Sequence, residues 1–552
     1  MKSLYELIIS VIGKRGIISN IFLSLLSGFA SFFFLSLLNQ LISKIIVGRF
    51  DAVTIGYAVQ LFLVIPIFIA AKRILSARIV VLSQTVFWKL RKQILQLVLK
   101  TSFRQLLKKR NDINIALNSD VHALSNASYG IIDFLTNIII AISILIYLAS
   151  ISIQLFLATV ATASLGIFLY SKSQKKVSAR FAEAIVLENV YLQKANSILD
   201  GFKEIFMDPR KGKDIFERDL HFAGEKSKEV NLLAQTSMMN GQVMVQLLFY
   251  LLIASVLLFA THISSLPADA IIKFIFTLLF LVGSITTIVT QLPGLTRANA
   301  SYKHLTQISK QLESIQAQTD VSSGSLLSNE FRSIEVKGIQ FLYEKSGDGF
   351  KIGPFDFSIS KGETVFIYGG NGSGKTTFIN TLMGLYFSSS GQIQFNSKKI
   401  DNGSFAKYRS NFAFVASDFY LFEELYGIEE VDLKLWHYYL ALFELNGLLT
   451  LDGKKLSTVN LSTGQRKRLA LIVALLENKP VLILDEWAAD QDPLFRKKFY
   501  TKILPILKSE GITIVAITHD DRYYSYADRL FRMEEGLLIQ EDKRLFQTRV
   551  FQ

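Results

Sequence analysis

The chain has 552 residues, of which 50% are hydrophobic and 19% charged, and its mean hydropathy is +0.34. This length exceeds that of a single domain of about 100–200 residues, and the apolar content excludes a disordered chain. The absence of cysteine excludes disulfide scaffolds and cysteine-ligated zinc or iron–sulfur centres. A membrane protein is the leading class, and the net charge of +14 fits either nucleic-acid binding or the cytoplasmic side of a membrane protein.

Six apolar stretches near the N-terminus are long enough to cross a bilayer, whose hydrocarbon core of about 30 Å requires roughly 20 helical residues. The first is too long for the apolar core of a secretory signal, and we predict that it is retained as a span. We therefore predict an all-α membrane domain over residues 1–310. Its six spans lie at about residues 17–47, 53–77, 128–149, 152–171, 241–261 and 269–292.

The positions of the basic residues decide between the two interpretations of the net charge. The long connections after the second and fourth spans are rich in Lys and Arg, whereas the short connections contain almost none beyond Arg49. The positive-inside rule places both long connections and both termini in the cytoplasm. The charge is therefore a topological signal, and nucleic acid is not expected as a partner. Helical periodicity in these connections predicts long hairpins with tips near residues 111–125 and 206–216.

The sequence changes character after residue 310. A polar, Ser-rich segment at 311–328 is predicted to be a linker. From 329 to 552, apolar β-branched runs alternate with helical segments, which is typical of an α/β domain with a buried parallel sheet. The predicted fold is thus multi-domain, with an all-α six-helix membrane domain followed by an α/β domain.

The α/β domain contains a phosphate-binding motif between a predicted strand and a predicted helix. The segment GGNGSGKTT fits the pattern G-x-x-x-x-G-K-[ST]. Its backbone N–H groups would converge on phosphate oxygens, while Lys375 would reach the β- and γ-phosphates and the Thr376 hydroxyl would ligate Mg²⁺. The predicted binding residues are Gly369, Gly370, Asn371, Gly372, Ser373, Gly374, Lys375, Thr376 and Thr377.

Three further segments supply polar groups suited to phosphoryl transfer. A buried strand ends at Asp485 and Glu486, which are placed to hold Mg²⁺ and to polarise a water for attack on the γ-phosphate. The signature segment LSTGQ, residues 461–465, begins an amphipathic helix and offers a second anion-binding N-terminus. His519 follows another apolar strand and would face the γ-phosphate. We predict Glu486 and His519 to be catalytic.

In this order the motifs resemble the nucleotide-binding domain of ATP-binding-cassette (ABC) transporters. The preceding region resembles the six-helix membrane domain of ABC exporters, so the resemblance covers nearly the whole chain. Within that superfamily the chain is similar to cyclic-peptide and siderophore-peptide exporters of the pyoverdine and syringomycin type. The residues that carry this similarity are GPFDFSISKGETVFIYGGNGSGKTT, FAFVASDFYLF, LDEWAADQDPLFRKKFY and THDDRYYSYADRLFRME, of which LDEWAADQDP is the most specific.

The resemblance implies ATP and Mg²⁺ as cofactors and extends the site. By resemblance, Tyr343 would stack on adenine, and Asp492 would help communication between subunits. The signature residues Ser462, Gly464 and Gln465 would contact the γ-phosphate of ATP held by the other subunit. Since one chain carries one phosphate loop and one signature, the resemblance implies a homodimer with two composite sites.

Two positions depart from the pattern of the wider superfamily, and one of them is Thr463, which replaces the usual glycine at the exposed start of the signature helix. The glutamine of the superfamily's Q-loop, which helps to position Mg²⁺ and water and touches the membrane domain, falls on Ser417. A serine side chain is too short to make the same reach. The subfamily that the chain resembles also tends to lack this glutamine, so we interpret Ser417 as a subgroup trait. The route by which hydrolysis is coupled to transport is left open.

The implied function is ATP-driven efflux of a small peptide, cyclic, modified or siderophore-type, by alternating access across the bacterial cytoplasmic (inner) membrane. The alternatives are a lipid or drug exporter of the same architecture and, as a different class, an ATP-gated channel. Polar residues within spans are candidate substrate contacts because their burial in lipid is costly. Our candidates are Asp133, Asn137 and Gln246, and the competing interpretation for each is an interhelical hydrogen bond.

Overall fold

The structure is a computed structural model that describes residues 19, 22–34, 36–42, 44, 55–263, 268–319, 330–342, 351–401 and 403–542. Tyr343 lies outside the described residues. The chain forms two compact units, which are treated separately below. One comprises Met1–Leu97 and Asn111–Lys310, and the other comprises Val98–Arg110 and Gln311–Gln552.

The N-terminal part of the chain is helical almost throughout its described residues. Six helical segments in this part are long and apolar enough to cross a membrane, which agrees with the predicted number of spans. π-Helical turns at Ala116–Asp120 and Ile215–Leu220 interrupt the regular helices. The helices are α1 (Phe22–Ile42), α2 (Ile55–Lys100), α3 (Phe103–Ile115), α4 (Val121–Ile151), α5 (Ile153–Asp200), α6 (Phe202–Met207), α7 (Pro209–Asp214), α8 (His221–Ile263) and α9 (Ala268–Thr319).

The long helices continue far beyond the thickness of a bilayer, as their periodicity predicted. Helix α5 has 48 residues, which at about 1.5 Å per residue exceeds twice the bilayer core of about 30 Å. The first helix break falls at Thr101 and Ser102, before the predicted tip at 111–125. The second connection breaks at Gly201, before the predicted tip at 206–216, and again at Asp208, inside it, where the Asp208 side chain accepts a hydrogen bond from the Arg210 backbone N–H at 3.2 Å. Helix α9 extends to Thr319 and so covers the start of the predicted linker.

A six-stranded sheet organises the C-terminal domain, with the strand order β12-β11-β3-β10-β9-β6. Neighbouring strands are parallel, except for β11 and β12. Strands β9 and β10 are buried along their whole length, which explains their uninterrupted apolar sequences. The strands are β3 (Thr364–Tyr368), β6 (Phe412–Val415), β9 (Val481–Asp485), β10 (Thr513–Ile517), β11 (Arg529–Glu534) and β12 (Leu537–Glu541).

An antiparallel sheet and a set of helices complete the domain. The antiparallel sheet has the order β2-β1-β4-β5, and β7 and β8 form a small hairpin. The strands are β1 (Ser333–Leu342), β2 (Lys351–Ser360), β4 (Ser390–Phe395), β5 (Lys398–Lys399), β7 (Leu451–Asp452) and β8 (Lys455–Leu456). The helices are α10 (Lys375–Leu382), α11 (Phe405–Arg409), α12 (Leu433–Leu442), α13 (Thr463–Leu476), α14 (Pro493–Lys498) and α15 (Leu504–Ser509).

The parallel strands separate two apolar cores. Because successive side chains of a strand point to opposite faces, Val481 and Ile483 enter one core while Leu482 and Leu484 enter the other. The first core includes the antiparallel sheet and α10, and the second includes α12 to α15. The sheet is therefore held from both sides, which fixes the positions of the loops at the carboxyl ends of its strands.

Candidate functional site

Three adjacent parallel strands bring the predicted motifs to one edge of the sheet. In the registers of β10, Ile517 pairs with Ile367 of β3 on one side and with Asp485 of β9 on the other. The phosphate loop after β3, the acidic pair at the end of β9 and His519 after β10 therefore leave the sheet together. This edge is where parallel α/β sheets bind their ligands.

The loop between β3 and α10 is closed around the ammonium group of Lys375. This side chain is buried, and its Nζ donates hydrogen bonds to the carbonyl oxygens of Gly369 and Gly370, both at 3.0 Å. Burial lowers the pKa of Lys375 from its ordinary value, while the charges of Glu486 and Asp485 act against that shift. The ammonium group thus stands inside the loop, available to a phosphate group that enters it.

Gly369 shows why this loop requires glycine. Its φ is +155°, and a Cβ atom built on it would lie 2.2 Å from the carbonyl oxygen of Met533. On the other side of the loop, the backbone N–H of Gly536 donates to the carbonyl oxygen of Ser373 at 3.0 Å. The hairpin of β11 and β12 therefore supports the phosphate loop at two points, Met533 in β11 and Gly536 in the turn.

Thr376 and Asp485 form a pair that fits a magnesium ion. The Thr376 hydroxyl donates to Oδ2 of Asp485 at 3.3 Å, and Asp485 is only 2% exposed. The Oδ1 atom is buried and has no hydrogen-bond partner among the described residues. Burial, followed by the charge of Glu486, raises the pKa of Asp485. A divalent cation would supply the positive charge that this buried carboxylate lacks.

The remaining ligands of such an ion would come from outside the protein. The described residues contain no cluster of three or more His, Asp or Glu side chains with metal-ligand geometry. Mg²⁺ is commonly held by one or two protein oxygens together with waters and substrate phosphates. The donor set of Thr376 and Asp485 therefore fits Mg²⁺ that arrives with a nucleotide.

Glu486 is directed by an unusual backbone conformation. Its φ of +50° is left-handed, which costs a non-glycine residue about 1–2 kcal/mol. The backbone N–H of Glu486 donates to the carbonyl oxygen of Ile517 at 3.2 Å, and its Oε1 lies 3.0 Å from Nε2 of His519. Both side chains are partly exposed, so the carboxylate can reach a water molecule while the imidazole fixes its orientation.

The phosphate loop and Glu486 surround one cavity of about 460 Å³. Its lining residues are Asn371, Gly372, Gly374, Lys375, Thr376, Thr377 and Glu486. The structure therefore brings together six of the nine predicted phosphate-binding residues, among them the predicted magnesium ligand Thr376, and the predicted base. None of the signature residues lines this cavity within the described part of the chain.

The signature residues form the N-terminus of α13 instead. Ser462 Oγ accepts from the backbone N–H of Gln465 at 3.4 Å, and Gln465 Oε1 accepts from the backbone N–H of Ser462 at 3.0 Å. This reciprocal capping box defines where α13 begins. A Cβ atom on Gly464 would lie 3.1 Å from the carbonyl oxygen of Asp490, so the helix approaches the segment after Glu486 closely.

Lys467 is a buried residue at the site that the sequence reasoning missed. It is 3% exposed, and its Nζ lies 2.6 Å from Oδ2 of Asp490 and donates to the carbonyl oxygen of Glu486 at 3.2 Å. The indole N–H of Trp487 donates to the carbonyl oxygen of Lys467 at 2.7 Å. Lys467 thus fastens α13 to the backbone that presents Glu486. Its position among other basic residues of the signature helix gave no signal that it is buried.

Asp492 has a clear structural role within one chain. Its Oδ1 caps α14 by accepting from the backbone N–H of Phe495 at 2.9 Å, and its Oδ2 accepts from Arg468 at 2.7 Å. The backbone hydrogen bond, with help from the charge of Arg468, lowers the pKa of Asp492. Its predicted role in communication between subunits stays a prediction. Ser417, which follows β6, is exposed.

The three candidate substrate contacts differ in their surroundings. Asp133 is exposed on α4. The side-chain amide of Asn137 donates to the carbonyl oxygen of Asp133 at 2.8 Å, within the same helix. Gln246 of α8 donates to the hydroxyl of Thr286 on α9 at 3.3 Å. Gln246 therefore makes the interhelical hydrogen bond that was the competing interpretation, whereas Asp133 is open to a ligand.

Comparison with known proteins decides the family. Residues 352–489 match the family model described as ABC transporter. The ATP-binding protein SyrD of Pseudomonas syringae pv. syringae is 30% identical to this chain over 411 residues, which cover 72% of each protein. The chain belongs to the ABC transporter family.

Two further similarities describe this ABC transporter. A bacterial Atm1-family ABC exporter, solved with ATP bound, has a TM-score of 0.79 to it, at 15% identity, over 97% of this chain and 96% of that one. An ATP-dependent lipid A-core flippase of Polaromonas sp. is 27% identical over 300 residues, or 52% of this chain and 49% of the flippase. The predicted half-transporter architecture, a helical membrane domain followed by an α/β ATPase domain, is confirmed. So is the predicted activity, ATP hydrolysis coupled to transport.

Proposed function

We propose that the exporter moves a small peptide, cyclic, modified or siderophore-type, across the cytoplasmic membrane, working as a homodimer with both termini in the cytoplasm. The observation that carries this proposal is the extent of the similarity to SyrD. Its 411 residues are more than the ATPase domain contains, so the match includes membrane-domain sequence, where a transporter meets its cargo. The flippase match, which covers about half of each chain, favours lipid as the second candidate.

The geometry of the ATPase domain supports a defined division of labour in hydrolysis. Lys375 and the backbone N–H groups of the phosphate loop would bind the phosphates, and Thr376 and Asp485 would hold Mg²⁺, which neutralises phosphate charge when bound. Glu486 would accept the proton of the attacking water, and His519 would keep the carboxylate in place. Lys375, Thr376, Glu486 and part of the phosphate loop line one cavity. His519 contacts Glu486, and Asp485 contacts Thr376.

The signature residues support the dimer. Ser462 is exposed, and among the described residues none of the signature residues lines the cavity of its own chain. A helix N-terminus of this kind binds anions. In the proposed dimer, each signature would complete the nucleotide site of the partner, with Ser462, Gly464 and Gln465 against the γ-phosphate.

A stack of aromatic rings offers a route for coupling that does not need the missing glutamine. The segment Val98–Arg110 belongs to the same compact unit as the ATPase domain. The Phe103 ring stacks on Tyr386 with centroids 6.3 Å apart, and Tyr386 stacks on Phe341 at 5.1 Å. The guanidinium of Arg104 lies 5.2 Å from the centroid of Phe341. We propose that these contacts pass movement of the nucleotide domain to helices α2 and α3.

Reconstitution in liposomes tests the proposed cargo. A cyclic peptide should stimulate ATP hydrolysis and accumulate inside vesicles whose transporters expose their ATPase domains outward. Lipid A-type glycolipids should do neither above the level of bulk phospholipid. Stimulation by the glycolipid alone would identify the second candidate instead. Ion current that persists without hydrolysis would indicate a channel.

Asp133 is expected to take part in recognition of a cationic group on the peptide. Asp133→Asn removes the charge but keeps the shape, and a charge-assisted hydrogen bond is worth enough to raise the half-stimulating peptide concentration by about tenfold or more. The measurement is peptide-stimulated ATPase in liposomes. Gln246→Leu serves as the comparison, because loss of the bond to Thr286 should lower the thermal stability without changing this concentration. An unchanged response of Asp133→Asn would remove Asp133 from the binding site.

A further inference from the structure

A second cavity, of about 410 Å³, lies between α4 and α9 in the membrane domain. This volume falls in the range of about 300–1,000 Å³ that is usual for small-molecule sites. Its polar lining is provided by Ser119 from the π-helical turn before α4, by His122 and Asn126 from α4 and by Gln291 and Arg297 from α9. None of these residues belongs to the substrate contacts predicted from the sequence.

Small residues create the space. A Cβ atom on Gly130 would lie 2.7 Å from Oε1 of Gln291, so the end of the Gln291 side chain from α9 lies against α4 at this level. A Cβ atom on Gly294 of α9 would meet nothing within 4 Å, and Ala123 and Ala127 line the α4 side of the cavity. The small residues of both helices therefore leave a hollow beside the Gln291 side chain.

The charged and polar residues that line this cavity suit a negatively charged ligand. Arg297 and His122 line it, and no carboxylate does so among the described residues. The acidic residue closest to His122 in the sequence is Asp120. It is buried, and its Oδ2 lies 2.6 Å from Nδ1 of His304. The side-chain amides of Asn126 and Gln291 add hydrogen-bond donors. A ligand that fits this lining carries negative charge.

The position of the cavity suits a cargo that arrives from the cytoplasm. His122 precedes the predicted span 128–149, and Arg297 follows the predicted span 269–292. With the proposed topology, both lie near the cytoplasmic ends of the predicted spans. Asn126, Gly130 and Asp133 recur at spacings of four and three residues, which places them on one face of α4. Asp133 thus continues the wall of the cavity toward the membrane interior, about 10 Å beyond Asn126.

We propose that this cavity binds a carboxylate of the exported peptide, with the Arg297 guanidinium as its main partner. This inference rests on the proposed peptide export and extends it, because it names a chemical group that the cargo must carry. Guanidinium groups bind carboxylates with two parallel hydrogen bonds, and His122, Asn126 and Gln291 surround the remaining acceptor positions. A peptide that holds its carboxylate here can place a cationic group near Asp133 on the same face of α4.

The test compares two probes on the full-length exporter in liposomes: a cyclic peptide with one free carboxylate, and the same peptide with that group amidated. With the unsubstituted exporter, the amidated peptide should need about tenfold or more higher concentration for half-maximal stimulation of ATPase. Arg297→Gln should raise the concentration required for the free-carboxylate peptide by a similar factor and leave that for the amidated peptide unchanged. Arg297→Lys should recover part of the difference.

Lys303→Gln provides the matched control, because Lys303 is an exposed basic residue of the same helix that does not line the cavity. It should leave both responses unchanged. Equal responses of the unsubstituted exporter to the two peptides would overturn the carboxylate site while leaving peptide export standing, and this comparison needs no variant to fold. An equal shift for both peptides in Arg297→Gln would also overturn it. No stimulation by either peptide contradicts peptide export itself, and the inference with it.

Discussion

Replacing Glu486 by Gln should stop ATP turnover while leaving ATP binding intact. The amide keeps the size and the left-handed backbone position of the carboxylate but cannot accept a proton from water. Loss of a general base typically costs about 10²–10⁴-fold in rate. The buried groups that would hold the nucleotide, Lys375 and Asp485, are unaltered, so nucleotide affinity should change little. Steady-state ATPase and equilibrium binding of labelled ATP measure the two properties separately.

A matched control for this variant is Glu430→Gln, which makes the same chemical change at an exposed position of the same domain. It should behave like the unsubstituted exporter in both assays. His519→Ala should weaken hydrolysis less than Glu486→Gln, because Nε2 of His519 contacts the Glu486 carboxylate and would act by keeping this base in place. If Glu486→Gln hydrolyses ATP at the original rate, the base lies elsewhere.

Lys375→Ala should produce the opposite pattern, in which binding itself is lost. The variant removes the cation that donates to the carbonyl oxygens of Gly369 and Gly370 and that stands close to Asp485 and Glu486. The phosphates would then meet two carboxylates without the compensating charge. Loss of one charged hydrogen-bonding partner corresponds to about 10–100-fold in affinity. We expect at least this increase in the dissociation constant for ATP, together with loss of stimulated ATPase.

Thermal stability in the absence of nucleotide distinguishes loss of binding from loss of folding. The exposed Lys398 of β5 supplies the control, since Lys398→Ala removes an equal charge from the same domain. A Lys375→Ala protein that is folded and binds ATP with unchanged affinity would contradict the assignment of the phosphate site. Together, Lys375→Ala and Glu486→Gln thus distinguish a residue needed to bind ATP from a residue needed to hydrolyse it.

Local sequence was sufficient to predict which motifs meet at one edge of the parallel sheet, while the roles assigned to their residues stay predictions. The phosphate loop and His519 follow apolar strands and Asp485 ends one, and parallel strands align their carboxyl ends by geometry alone. The six spans were equally predictable, because bilayer thickness sets a length that few soluble segments reach. In both cases the signal lies within some twenty neighbouring residues.

The features that the sequence did not reveal depend on contacts between distant residues. Lys467 can be buried because it forms an ion pair with Asp490 and a hydrogen bond with the carbonyl oxygen of Glu486. The residues next to Lys467 in the sequence do not indicate these contacts. The first hairpin breaks at Thr101 and Ser102, which contain neither proline nor glycine, so the predicted tip at 111–125 was placed too late. The hollow beside Arg297 is lined by residues of α4 and α9, which are far apart in the sequence.

The hairpin of β11 and β12 supports the phosphate loop, and this limits how the C-terminal part of the exporter can be altered. Gly369 lies against Met533, and Gly536 donates to Ser373, although these partners are far apart in sequence. A shortened chain that lost this hairpin would keep every phosphate-binding residue and still lose the wall that shapes their loop. Fusion partners and affinity tags should therefore be joined beyond Glu541, so that the hairpin of β11 and β12 is left intact.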